Sequence, residues 1–281
     1  MLIDSLRRSH GALKQRFLAP DHCSRRALSR MLSDGCVLRH PNHVIALPQT
    51  GPRIVTARRL GGLIGCSHAL EHHGIDLRER PGRLHVLVPK DPGTTVHGIG
   101  RVTVHRVPGL PVDPAGSPFA DPESSLLTFM RCAEELDALI ALDSALRAGA
   151  VTRRQLLAAL PGRRNGPMRA LLDRADPRAR SPLETIARYD LQEAGAPPEV
   201  AVTLPVGEVD LMLGPLLVIE TDGYAYHSSW EDWNRDRLRD QRLAAEGRTV
   251  LRLTSRQVLG RQTVRIVRPV ARRLGCWPSR A

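Results

Sequence analysis

Lysine is almost missing from this chain: Lys14 and Lys90 are the only two in 281 residues, and every other basic side chain is arginine. Aromatic residues are also sparse at 3%, so a core must be assembled from Leu, Val, Ile and Ala. No apolar run approaches the roughly 20 residues of a membrane-spanning helix, and the opening MLIDSLRRSHGALKQ has no apolar stretch of signal-peptide length. The five cysteines (Cys23, Cys36, Cys66, Cys132 and Cys276) are odd in number, scattered, and form no CxxC pair. That argues against a disulfide framework and against a zinc ribbon. The expectation is a cytoplasmic protein with reduced thiols and no membrane partner.

Positive charge is what the chain has in excess. The formal net charge is +12, which makes a polyanion, DNA first, the expected partner. From Arg248 to Ala281 nine arginines occur without one acid. Arg261, Arg265, Arg268 and Arg272 recur at helical spacing, as a phosphate track would.

Length and punctuation suggest three parts: 1–50, 51–177 and 178–281. In the first, helices are expected at 2–8, 12–18 and 24–32, the third capped by Ser24, followed by a hairpin from 37–38 and 44–47. This is the pattern of a small winged helix-turn-helix. Its third helix would expose Arg25, Arg26 and Arg30 to phosphate or a groove, or merely to solvent. The middle part reads as mixed α/β: a glycine-broken helix over 54–73, strands at 83–89 and 101–107, one or two helices over 122–147, and a helix capped by Thr152. His68 and His72 stand at i, i+4, but with no HExxH and no third ligand the His68, His72, His73 group reads as ordinary helix-end histidines. The last part reads α-β-β-β-α-β-α: a helix from Ser181 to about 193, strands at 199–204, 208–213 and 216–221, a charged helix at 232–246, a strand at 249–254, and a final helix breaking near Gly260 or Pro269. The overall fold class is therefore α+β and multi-domain.

Strand periodicity places chemistry in that last part. Glu208 and Asp210 share a face, as do Glu220 and Asp222, and a tight turn between the two strands brings Asp210 near Glu220. Two unit charges about 4 Å apart repel by roughly 4 kcal/mol at an effective dielectric of about 20. A counter-charge is needed: either a divalent cation with oxygen ligands or neighbouring arginines, and both readings stand. Glu184 has two readings as well, because Ser181-x-x-Glu184 with Pro182 is a capping box. His227 could serve as an acid or base. Tyr224 and Tyr226 flank the site, and Arg235 and Arg239 share a helix face that could look back at the acids.

The segments SPLET (181–185), VDL (209–211), VIETDGYAYH (218–227) and RDRLRDQRLAAEGRTVLRLT (235–254) resemble the very-short-patch-repair-like branch of the PD-(D/E)XK nuclease superfamily. The resemblance implies Asp210 and Glu220 as ligands of Mg²⁺ or Mn²⁺, with Asp222, His227 and Glu184 as further catalytic positions. It also implies an α-β-β-β-α-β nuclease core. The chain departs from the pattern where a lysine is expected two residues after the glutamate, since Asp222 stands there. The N-terminal winged-helix pattern followed by SHALEHHGI and LDSALRAGAVT is similar to AbiEi-type antitoxins. That likeness implies a toxin protein encoded alongside as partner. Two functions are therefore expected: a metal-dependent DNA endonuclease anchored by the winged helix, or an antitoxin-type transcriptional repressor with an inactive nuclease-like domain. A basic scaffold is the blander third, and the oligomeric state, a homodimer included, is left open.

Overall fold

The computed structural model describes residues 1–90, 100–222 and 230–278, and from 230 to 236 the backbone alone. The chain divides into two compact units, Met1–Ala133 and Glu134–Ala281. The expected breaks near 50 and 177 fall inside these units. Secondary structure is mixed, with three separate sheets among the described residues, consistent with the α+β expectation.

The first unit opens with α1 (Leu2–Arg8), β1 (Ala12–Lys14), the single turn α2 (Gln15–Leu18), α3 (His22–Ser33), β2 (Leu38–His40) and β3 (Val44–Ala46). Residues 12–14 were expected in a helix and form a strand instead. His10 and Gly11 both take left-handed φ values (58° and 92°), which turns the chain. Ala12 and Leu13 are then buried in an antiparallel ladder against Ala46 and Ile45. Burial on a sheet thus overrides a helical pattern only seven residues long. The sheet order is β1-β3-β2. α3 starts earlier than expected: Asp21, not Ser24, is the cap, its carboxylate accepting the Ser24 N–H at 2.8 Å. Leu28 of α3 joins Leu6, Leu13, Leu18, Val37, Ile45 and Leu47 in one buried cluster.

The same unit continues with α4 (Pro52–Leu60), β4 (Leu63–Ile64), α5 (Cys66–His72), β5 (Leu84–Pro89), β6 (Val102–Val107) and α6 (Pro122–Cys132). The short strand β4, hidden in the sequence LGGLIG, pairs antiparallel with β5, and β5 pairs parallel with β6. Gly62 and Gly65 allow this contact. A Cβ on Gly62 would lie 2.2 Å from the Leu87 carbonyl oxygen, and one on Gly65 1.9 Å from Leu87 Cδ1.

The second unit comprises α7 (Glu135–Arg147), α8 (Arg153–Ala159), a 3₁₀ turn (Arg163–Asn165), α9 (Gly166–Arg174), α10 (Pro182–Glu193), β7 (Glu199–Leu204), β8 (Gly207–Leu213), β9 (Leu217–Asp222), α11 (Trp230–Ala245), β10 (Thr249–Thr254), α12 (Ser255–Leu259) and α13 (Thr263–Arg273). Its sheet runs β10-β9-β8-β7. β7, β8 and β9 form an antiparallel meander, and β10 joins β9 in parallel. Helices α10, α12 and α13 pack a core of Ile186, Leu191, Leu211, Ile219, Leu253, Val258 and Val267 against it. The break expected in the final helix falls at Gly260–Arg261, where Arg261 has φ 55°. Pro269 is accommodated inside α13. Among the described residues no helix is long and apolar enough to cross a membrane.

Candidate functional site

Two of the predicted acids, Asp210 and Glu220, meet on neighbouring strands of the second unit's sheet. The β8/β9 register pairs Leu211 with Ile219, so its next step sets Asp210 across from Glu220. Asp210 Oδ2 accepts hydrogen bonds from the Thr221 backbone N–H (2.8 Å) and hydroxyl (3.1 Å). Glu220 is buried, and its Oε1 accepts from Arg239 Nη2 at 2.9 Å. The same guanidinium donates to the Glu208 carbonyl. Arg180 spans Glu208 Oε1 at 3.0 Å and Asp210 Oδ1 at 3.7 Å. Burial pushes the Glu220 carboxyl up to about 7, and repulsion from Asp210 pushes the same way, against the pull of Arg239. Burial is the larger cause, and it holds the carboxyl up although both Arg239 and Arg252 pull it down.

Glu184 lies buried at the start of α10. Only half of the expected capping box forms. Ser181 Oγ accepts the Glu184 N–H at 3.2 Å, whereas the Glu184 carboxylate reaches past Ser181 to accept the Arg180 N–H at 2.8 Å. Burial, then Asp210, raise its pKa, with the Arg180 N–H pulling it down. Asp222 sits apart at the exposed strand end, 3.5 Å from Arg252 Nη1, and Arg252 also holds Asp240 at 2.8 Å. Sequence reading missed Arg252. It is paired with Glu220 across the parallel β9/β10 ladder, a neighbour that only the sheet order reveals. His227, Tyr224 and Tyr226 lie outside the described residues, as does the side chain of Arg235.

The arginines expected on nucleic acid divide into two groups. Arg25, Arg26 and Arg30 are exposed on α3. Arg25 folds back onto the Asp21 carbonyl at 3.1 Å, while Arg26 and Arg30 have no ion-pair partner among the described residues. In the tail, Arg261 is not part of the helical stripe. It lies between α12 and α13 and pairs with Asp190 at 2.5 Å. Arg268 packs over Trp277 at 5.0 Å from the ring centre. Arg265 and Arg272 remain exposed on α13.

Among the described residues, the only group of three or more metal-capable side chains that converges tightly is not acidic. It is Cys66, His85, His105 and Cys132, whose ligand atoms all lie within 4.8 Å of one another. Cys66 Sγ and Cys132 Sγ are 3.0 Å apart, and His85 Nδ1 and His105 Nε2 are 2.9 Å apart. The hydrogen bond between the two sulfurs pushes the Cys66 thiol up and favours the thiolate on Cys132, where both histidines add to the effect. No spacing rule finds this set, because each residue comes from a different element. Two of the three histidines singled out in sequence make other contacts: His72 stacks on Phe119 and His73 Nε2 lies 2.8 Å from the Ala120 carbonyl oxygen.

Residues 62–173 match the AbiEi antitoxin C-terminal domain. The match ends before the segments that carry the nuclease resemblance. No curated protein matches the chain. A solved structure with some likeness is the RV2827C protein from Mycobacterium tuberculosis: 19% identical, with a TM-score of 0.39, covering 66% of this chain and 78% of that one.

Proposed function

We propose that this protein is a DNA-binding regulator of antitoxin type, which reads DNA with its first fifty residues and takes a toxin protein as partner. The observation that carries the reading is the exposed arginine face of α3, on which Arg26 and Arg30 have no ion-pair partner among the described residues. α3 is the third helical element of a helix–strand–helix–helix–strand–strand module, an order that suits a winged helix-turn-helix, and this module precedes an antitoxin-family region. In such modules the helix before the wing enters the major groove, and its basic residues contact phosphate or base edges.

The test is binding of the full chain to a duplex from upstream of its own gene, followed by fluorescence anisotropy across a salt series. Tight, sequence-selective binding is expected, weakening as salt rises. Arg26→Ala with Arg30→Ala should flatten the plot of log affinity against log salt by about one unit of slope for each phosphate no longer neutralised. Binding indifferent to salt, or to these substitutions, overturns the reading.

A second reading is favoured by one specific observation, the convergence of Asp210 and Glu220 with Glu184 nearby. Their hard oxygen donors fit Mg²⁺ or Mn²⁺ by type, and Glu220 is buried beside a second acid, Asp210, whose charge opposes its own. In that reading Asp210 and Glu220 would hold the ion, which when bound polarises phosphate and activates water. Arg252 and Arg239 would hold the phosphate, with Asp222 and Glu184 as positioning groups. Nicking of supercoiled DNA with Mn²⁺, abolished by Asp210→Ala, is the expected result. No nicking with either ion leaves the domain a binding module.

A further inference from the structure

We propose that Cys66, His85, His105 and Cys132 bind one Zn²⁺ ion in a closed tetrahedral site that ties the ends of α5 and α6 to β5 and β6. The inference is independent of the DNA-binding reading.

The donor set points to zinc first. Two thiolates and two imidazoles make the Cys₂His₂ combination that favours four-coordinate Zn²⁺ over the hard ions Mg²⁺ and Ca²⁺. Two thiolates also neutralise a divalent cation, so the loaded site carries no net charge into its half-buried surroundings, where an unpaired ion would be costly.

The geometry fits next. Zinc–sulfur bonds of about 2.3 Å and zinc–nitrogen bonds of about 2.0 Å at tetrahedral angles imply donor–donor distances of roughly 3.3–3.8 Å. The sulfurs stand 3.0 Å apart, the two ring nitrogens 2.9 Å, and Cys132 Sγ lies 3.9 Å from His85 Nδ1. Opening each close pair by less than about 1 Å would admit the ion. Without one, the four groups can satisfy each other only poorly. Two facing ring nitrogens share one N–H at best, and S–H is a weak donor to sulfur.

The scaffold that aims these groups is itself built for the purpose. His105 faces Leu87 across the β5/β6 ladder, and His85, two residues before Leu87, shares that face of the sheet. The Gly65 N–H donates to the His85 carbonyl at 3.0 Å, and the missing Cβ of Gly65 lets Cys66 approach over Leu87. Cys66 is held in a left-handed backbone conformation, φ 55°. A non-glycine residue persists there only where its surroundings over-determine it, often at ligand sites. Cys132 closes the set from the last residue of α6 and is the exposed member, while Cys66 is buried.

The full chain, purified without chelator, should contain one zinc per chain by elemental mass spectrometry. Replacement by Co²⁺ should give thiolate-to-cobalt charge-transfer absorption with intense tetrahedral visible bands. Both signals should be lost in Cys132→Ser and in His105→Ala. In the unaltered protein Cys66 and Cys132 should resist a thiol reagent until a chelator is added, while the exposed Cys23 and Cys36 react at once. This labelling test stands even if the variants fold poorly. Metal-free protein whose Co²⁺ complex is colourless overturns the proposal. So does zinc that survives either substitution, or a Cys66–Cys132 disulfide found under non-reducing conditions.

Discussion

Asp143→Ala is expected to destabilise the second unit by about 3–5 kcal/mol, the range for breaking a buried ion pair from one side. Asp143 and Arg188 each have 1% of the side chain exposed and meet at 2.6 Å. The Asp143 carboxylate is fully engaged: Oδ2 accepts from Arg188 and from the Thr185 hydroxyl (2.7 Å), and Oδ1 from the Asp176 N–H (2.7 Å). Arg188 donates its other amino group to the Arg174 carbonyl at 2.6 Å. This network joins α7, the loop after α9, and α10. Burial pushes the Asp143 carboxyl up, and the Arg188 charge and the three donors pull it back. Removing the acid alone leaves a guanidinium in a dry core and orphans the Asp176 N–H. Removing both charges should hurt less, so Asp143→Leu with Arg188→Met is expected to be the milder change. Urea unfolding of the single and double variants measures this. A single variant within about 1 kcal/mol of the parent would mean the charges are solvated.

The second large effect concerns pH. Glu220 has a folded pKa of about 7 against an ordinary 4.5. Its folded value is raised, so below 4.5 both states are protonated and the contribution to stability is fully present. As pH rises from 4.5 through 7 the unfolded chain gives up its proton while the folded protein holds it, and that contribution is lost. The gap corresponds to about 3 kcal/mol. Glu220→Gln cannot titrate and should lack this slope. Relative to the parent it should therefore gain about 3 kcal/mol between pH 4.5 and pH 8, measured by urea unfolding with EDTA present. If Asp210 and Glu220 hold Mg²⁺, millimolar Mg²⁺ should restore stability to the parent near neutral pH and leave Glu220→Gln unmoved. Equal slopes for parent and variant would show that Glu220 is solvated and ordinary.

How much of this was legible in the sequence follows from the range of the forces involved. Elements with strong local signals appear where expected: α1, the β7–β8–β9 meander with its glycine turns, and β10. The facing of Asp210 and Glu220 follows from period-two alternation plus one tight turn. Local rules failed where distant chain decided the outcome. Ala12 and Leu13 read as helix because their pattern is short, but β3 recruits them into a sheet. β4 is two residues long and exists only because Gly62 and Gly65 let β5 come close. Arg261 fits a helical stripe on spacing, yet its pairing with Asp190, 71 residues away, takes it out. Of the arginine counter-charges on the acids, Arg239 was anticipated from its helix face and bonds Glu220. Arg180 and Arg252 were not, because they reach the site through helix placement and sheet order.

The dispersal of the Cys66–His85–His105–Cys132 cluster has a consequence for the order of events during folding. Cys66 and Cys132 are 66 residues apart in the chain, and the two histidines sit on strands that must first align in parallel. Closing such a loop costs entropy that no ion can offset until the strands and both helix ends are in place. A zinc finger whose ligands lie a few residues apart can be nucleated by its metal. Here an ion would arrive late, as a latch on a finished unit, and its capture would separate completed molecules from those still folding.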